Sequence, residues 1–192
     1  MNRISKVIFQ FYSMSVMAII FCASTAGLAF AGDLRLQGGG AIPLTPPDPV
    51  PLSGDMNLAT QITYAHTLSD TIKLGTSLTM TSGYYTGCEG PGTCNIYTFN
   101  LSVLPRLEYY FLPQFYVGPQ VGYSFSNLPG SSTNESLSGI SLGGMTGAIL
   151  PISTSSSVTA SLILEANVLA NAYSYLRDAP SLMLTAGVQL GF

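Results

Sequence analysis

Residues 181–192 read Ser-Leu-Met-Leu-Thr-Ala-Gly-Val-Gln-Leu-Gly-Phe, and their parity decides the fold class. Leu182, Leu184, Ala186, Val188, Leu190 and Phe192 fall on one side of an extended chain. Ser181, Met183, Thr185, Gly187, Gln189 and Gly191 fall on the other. A period of two belongs to a strand, whose successive side chains point to opposite faces. Here one face is apolar throughout, and the other is mostly small or polar.

The pattern recurs upstream. Residues 55–68 alternate Met56, Leu58, Thr60, Ile62, Tyr64, His66 and Leu68 with Asn57, Ala59, Gln61, Thr63, Ala65 and Thr67. Residues 71–85 set Ile72, Leu74, Leu78, Met80 and Tyr84 against Lys73, Gly75, Ser77 and Thr79. Over 96–111, Tyr97, Phe99, Leu101, Val103, Leu107, Tyr109 and Phe111 oppose Asn100, Ser102, Arg106 and Glu108. Over 114–126, Phe115, Val117, Val121, Tyr123 and Phe125 oppose Gln120, Gly122 and Ser124. Weaker alternation over 138–150, strong alternation over 157–173 and a first strand over 33–44 bring the number to eight. Each reaches the roughly 9 to 11 residues that a tilted membrane strand requires.

The faces separate two kinds of barrel. A soluble ligand-binding barrel hides its apolar face inside, whereas a membrane barrel turns that face to lipid. None of the eight apolar rows contains Asp, Glu, Lys or Arg, while Arg35, Lys73, Arg106, Glu108 and Glu165 share the opposite face. So large an apolar face cannot be left in water. The chain is therefore predicted to be all-β, an eight-stranded antiparallel up-and-down transmembrane β-barrel. Breaks between strands alternate in length: 45–54, 86–95, 127–137 and 174–180 are long, whereas 69–70, 112–113 and 151–156 are short. Short turns on the periplasmic side and long loops outside are the habit of outer-membrane barrels. Both termini are then periplasmic.

Residues 1–31 read differently. Arg3 and Lys6 precede an apolar run over 14–21 and an Ala29-Phe30-Ala31 ending, the form of a secretory signal peptide cut after Ala31. The predicted organisation is a leader over 1–31 and one barrel domain over 32–192. The exported part keeps four Lys and Arg against nine Asp and Glu, about −5. With 8% charged residues in 192, the composition excludes a charge-rich disordered chain, and the acidic balance disfavours nucleic acid as a partner.

The last strand closes Val188-Gln189-Leu190-Gly191-Phe192. On this strand and the strand count, the chain resembles the small outer-membrane barrels of the OmpA and OmpX type, a likeness that reaches to the opacity and OmpW-like porin group. The resemblance implies a Gram-negative outer-membrane location. It also implies that Phe192 ends the signal read by the barrel assembly machinery. It implies no particular role. Three readings stand: a non-enzymatic envelope or surface-contact protein acting through four extracellular loops, a narrow porin-like conduit for small or hydrophobic solutes, and a lipid A-modifying enzyme.

Eight strands enclose a bore that side chains fill, so Arg35, Lys73, Arg106, Glu108 and Glu165 are expected to form a paired ionic cluster in a packed lumen. A register in which paired numbers sum to 181 sets Lys73 opposite Glu108 and leaves Arg106 to Glu165 or Gln120. Cys88 and Cys94, with five residues between them in an external loop of an exported chain, are expected to form a disulfide. Zinc is not expected, since no further Cys or His lies near them. His66 is the only histidine, outward and at the periplasmic end, so catalysis on lipid A in the outer leaflet is disfavoured. Tyr64, Tyr109, Phe111 and Phe115 are expected at the periplasmic ends of the strands, and Tyr84, Tyr97, Phe99, Tyr123 and Phe125 at the outer ends, as two aromatic girdles. No cofactor is called for. The expected partners are outer-membrane lipid and lipopolysaccharide, the assembly machinery and an extracellular ligand met through the loops.

Overall fold

Eight long strands follow the alternating segments: β1 (Gly32–Pro43), β2 (Asn57–Ser69), β3 (Ile72–Thr86), β4 (Asn95–Leu112), β5 (Phe115–Leu128), β6 (Glu135–Thr154), β7 (Thr159–Tyr173) and β8 (Ser181–Gly191). The computed structural model describes residues 32–44, 53–54, 57–86, 95–128, 135–154, 158–173 and 180–192. Each strand pairs antiparallel with the next, and β8 pairs back onto β1, with Asp33 opposite Gly191, Leu36 opposite Val188 and Pro43 opposite Ser181. The sheet is a closed ring, which leaves none of the eight long strands with an unpaired edge. Ser53–Gly54 adds a two-residue pairing beside the end of β3.

Connections of two to four residues join β2 to β3, β4 to β5 and β6 to β7, and both ends of the barrel chain lie at that same rim, where the Phe192 amide donates to the Gly32 carbonyl at 2.9 Å. The three register irregularities, at Thr67/Ser69, Tyr110/Leu112 and Pro151/Ser153, sit beside those short connections. An extra residue there sharpens the local twist where the chain reverses. β6 is longer than its alternation suggests, running to Glu135 and Thr154 where 138–150 is expected. Gly139, Gly143, Gly144 and Gly147 erase the pattern of apolar side chains, but their backbone still pairs with β5 on one side and β7 on the other.

The two faces carry opposite chemistry. Leu58, Leu74, Val121, Ile140, Leu142 and Leu164 point out and are exposed, whereas Arg35 and Glu108 point in and are 0% exposed. Among the described side chains, no outward strand residue is charged. The core is accordingly polar at its centre, with one apolar cluster of Tyr110, Tyr116, Met145, Ile149 and Ile163 and a smaller one of Ala41, Ala59 and Met183.

Candidate functional site in the barrel lumen

Parity places the chemistry. Residues 33, 35 and 37 on β1, 106, 108 and 110 on β4, and 163, 165 and 167 on β7 all face the bore, and an eight-stranded bore is narrow enough for long side chains to meet across it. Arg35 reaches from β1 to β4, where Nη1 and Nη2 donate to Glu108 Oε1 and Oε2 at 2.6 and 2.8 Å. Its Nε donates to Gln189 Oε1 at 2.9 Å, and Nη2 donates also to the Tyr110 hydroxyl at 2.9 Å. The Tyr110 hydroxyl in turn donates to Glu108 Oε2 at 2.9 Å.

Arg106 makes a second fork. Its Nη1 and Nη2 donate to Glu165 Oε1 and Oε2 at 3.0 and 2.6 Å, and Nη1 also donates to Ser77 Oγ at 2.9 Å. Arg106 Nε lies 3.0 Å from Glu108 Oε1, an ion pair without hydrogen-bond geometry, so Glu108 sits between both guanidinium groups. Glu165 accepts further bonds from Gln61 Nε2 at 2.6 Å, Asn167 Nδ2 at 2.9 Å and the Tyr116 hydroxyl. The Tyr116 ring lies under both cations, 5.0 Å from the Arg35 guanidinium carbon and 5.8 Å from that of Arg106. Bidentate forks backed by further hydrogen bonds to the carboxylates are what allow such ions to stay buried.

Lys73 stands opposite Glu108 in the ring, the register that sums to 181. Its ammonium does not go there. It pairs with Asp33, on β1, and lies 5.1 Å from the Tyr110 ring centre. Glu108 already holds two guanidinium groups, and Asp33 is the carboxylate left for the remaining cation. Arg35, Lys73 and Arg106 are thus balanced by Asp33, Glu108 and Glu165, and the described lumen is neutral as a whole.

The ring of strands has counterparts among solved structures. Neisserial surface protein A superposes with a TM-score of 0.53 at 14% identity, over 84% of this chain and 97% of that one. The Yersinia pestis outer-membrane protein Ail in a bilayer nanodisc gives 0.53 at 13%, over 82% and 99%. The crystal structure of Ail, the attachment invasion locus protein, gives 0.51 at 12%, over 84% and 97%. The fold is that of the small eight-stranded outer-membrane barrels. At these identities the likeness is one of fold. No protein-family model matches the chain, and no curated protein matches its sequence.

Within this barrel fold, the outward aromatics Tyr109, Phe111, Phe115, Tyr123 and Phe125 are exposed, and Tyr64 and Phe99 are partly so. Phe111 and Phe115 stack across the β4–β5 turn with centroids 6.2 Å apart, while Tyr123 and Phe125 meet edge to face at 5.1 Å. The side chains of Tyr84 and Tyr97 lie outside the described set, as do Cys88, Cys94 and the whole of 1–31. His66 points outward opposite Gly32 at the short-connection rim, and Ser69 and Asp70 are exposed in the turn beyond it. Phe192 is exposed at that rim.

Sequence reading left out of the cluster the carboxylate that takes Lys73 and the two tyrosines that face the guanidinium groups. Asp33, Tyr110 and Tyr116 share the inward parity of Arg35, Glu108 and Gln120, and that parity was the available signal. Gly147 explains how Tyr116 fits. It is the cross-strand partner of Tyr116, and a Cβ there would collide with the ring.

Proposed function

We propose that the chain is an integral outer-membrane protein of a Gram-negative bacterium whose lumen is closed by its own side chains. It acts without catalysis, in envelope integrity or in contacts made by the four long connections. In this reading the leader over 1–31 is removed, the short connections and both termini face the periplasm, and Cys88 and Cys94 bridge the connection between β3 and β4. The barrel assembly machinery reads the strand that ends at Phe192. The outward aromatics sit at the two interfaces of the bilayer, with lipid and lipopolysaccharide as neighbours.

The observation that carries this is the self-neutralising lumen. Two bidentate Arg–Glu forks and the Lys73–Asp33 pair cross the bore, backed by Tyr110, Tyr116, Ile149 and Ile163 towards the short-connection rim. An ion crossing would have to part these buried pairs, and leaving one buried charge without its partner costs on the order of 3 to 5 kcal/mol. The absence of charge from the outward rows supports lipid as the solvent of the outside. The proteins of like fold bear names that speak of surface and attachment, in keeping with a role for the long connections. The test is conductance in a planar bilayer. The expected result is a protein that inserts and shows no discrete openings; reproducible unitary openings would instead make it a narrow conduit.

A further inference from the structure

One seam of the ring is incomplete. The β4–β5 register, in which paired numbers sum to 226, runs from Phe99 opposite Asn127 to Val103 opposite Tyr123, returns at Arg106 opposite Gln120, and returns again at Tyr109 opposite Val117. Leu104, Pro105, Leu107 and Glu108 have no partner on that side, although all of them pair with β3 on the other. The facing residues Gly118, Pro119, Val121 and Gly122 pair with β6 in the same way. Among the described residues, the other seams are continuous except beside the short connections.

Two prolines account for the gap. The Tyr110 amide donates to the Thr71 carbonyl on β3, so by alternation the odd-numbered backbone groups of β4 face β5. The Ile149 amide donates to the Gln114 carbonyl, so the odd-numbered groups of β5 face β4. Pro105 and Pro119 therefore both turn a nitrogen without a hydrogen to this seam. Pro105 cannot donate to Val121, and Pro119 cannot donate to Leu107. The Val121 and Leu107 amides still donate the other way, which keeps the Arg106 and Gln120 pairing between them. Proline in a sheet is ordinarily confined to edges and bulges, yet both of these lie inside a closed wall.

Side chains brace the same stretch from within. Gly118 and Gly122 leave β5 without an inward side chain on either side of Gln120. Gln120 Nε2 reaches across to Asn167 Oδ1 on β7 at 3.1 Å, Arg106 holds Glu165 on β7, and Glu108 is held by Arg35 on β1. The seam is clasped at both ends of the gap, by the Ser102 and Ser124 hydroxyls at 2.5 Å and by the Tyr110 and Tyr116 rings, with centroids 5.3 Å apart.

We propose that the wall parts locally between 104–108 and 118–122, and that the cross-bore tethers on Arg106, Glu108 and Gln120 are the latch that holds it shut. The clasps at either end bound the opening, so the rest of the ring stays paired. The lumen cluster thereby controls a motion of the wall as well as filling the bore. This goes beyond a lumen closed along its axis: conductance and parting of the wall are read separately.

The test is amide hydrogen exchange, followed by nuclear magnetic resonance on the exported protein in lipid nanodiscs. β4 supplies its own control, because the Arg106 and Glu108 amides point to the intact β3 seam and the Leu107 amide between them points to β5. The Leu107 and Val121 amides are expected to exchange about tenfold faster than those of Arg106 and Glu108, the effect of two missing neutral hydrogen bonds on local opening. Pro119→Ala restores a donor and leaves every tether in place, so it should bring Leu107 close to its neighbours. Gln120→Ala cuts one uncharged tether and should speed Leu107 and Val121 by about a further threefold while Arg106 and Glu108 stay unchanged. Equal rates at all four amides of the parent would overturn the parting, whether or not Gln120→Ala folds. A folded Gln120→Ala protein in which all four amides speed up alike would overturn the latch.

Discussion

Glu165 is the most heavily bonded group in the lumen, held by Arg106, Gln61, Asn167 and Tyr116 together. Removing Arg106 would strand it as an uncompensated buried charge, which costs on the order of 3 to 5 kcal/mol, whereas replacing both ions of a buried pair by apolar groups is often nearly neutral. Arg106→Met is therefore expected to lower unfolding free energy by about that amount, and adding Glu165→Met should return at least about 1 kcal/mol of it. Urea unfolding of the barrel in lipid vesicles measures both. A double variant whose loss equals the sum of the two single losses would show that the fork contributes no coupling. The Lys73 pair is a different case. Its side chain is 18% exposed, near the rim, and Lys73→Met should cost less than Arg106→Met in the same measurement. The partner of each cation was only partly legible beforehand. Cross-strand register correctly sets Lys73 beside Glu108, but register describes neighbours along the wall, and a guanidinium on β1 that crosses the bore to β4 outcompetes the neighbour. That long-range fork displaces the ammonium to Asp33.

At the scale of the strands, parity carried most of the architecture, because lipid outside and a polar bore inside impose opposite demands on alternate residues. Where it faltered, on β6, the cause is glycine. Four glycines on a strand remove the side chains that signal a face, yet the backbone still pairs on both sides. One of them also makes room for the site. Gly147 on β6 leaves space for the Tyr116 ring of β5, and that ring carries the hydroxyl to Glu165 and faces both guanidinium groups. Gly147→Val is expected to drive the ring off its seat and destabilise the barrel by about 1 to 3 kcal/mol, the usual cost of overpacking. Tyr116→Ala in the same chain removes the obstacle, so the double variant should lose less than the two single losses added together. Urea midpoints of the four proteins decide it, and strict additivity would mean that Gly147 serves the strand and not the tyrosine.

For the molecule as a whole, ring closure brings the first and last strands together at one rim. β1 opens at Gly32, the Gly32 carbonyl receives the amide of Phe192, and Asp33 lies opposite Gly191, so the first and last strands meet flush at the short-connection rim. Asp33 also carries the ion pair to Lys73 only two residues into the wall. Removal of a leader ending at Ala31, as proposed, would keep Gly32 and Asp33, which close the ring, with the barrel. Such a cut also removes Cys22, leaving Cys88 and Cys94 as the only thiols. One measurement reads both consequences. The intact mass of protein purified from outer membranes should equal that of 32–192 less two hydrogens, and reduction followed by alkylation should add two labels where alkylation alone adds none. A species that retains Met1 would overturn the cleavage site, and two labels without reduction would overturn the bridge. The two outcomes are independent, so each can fail without the other.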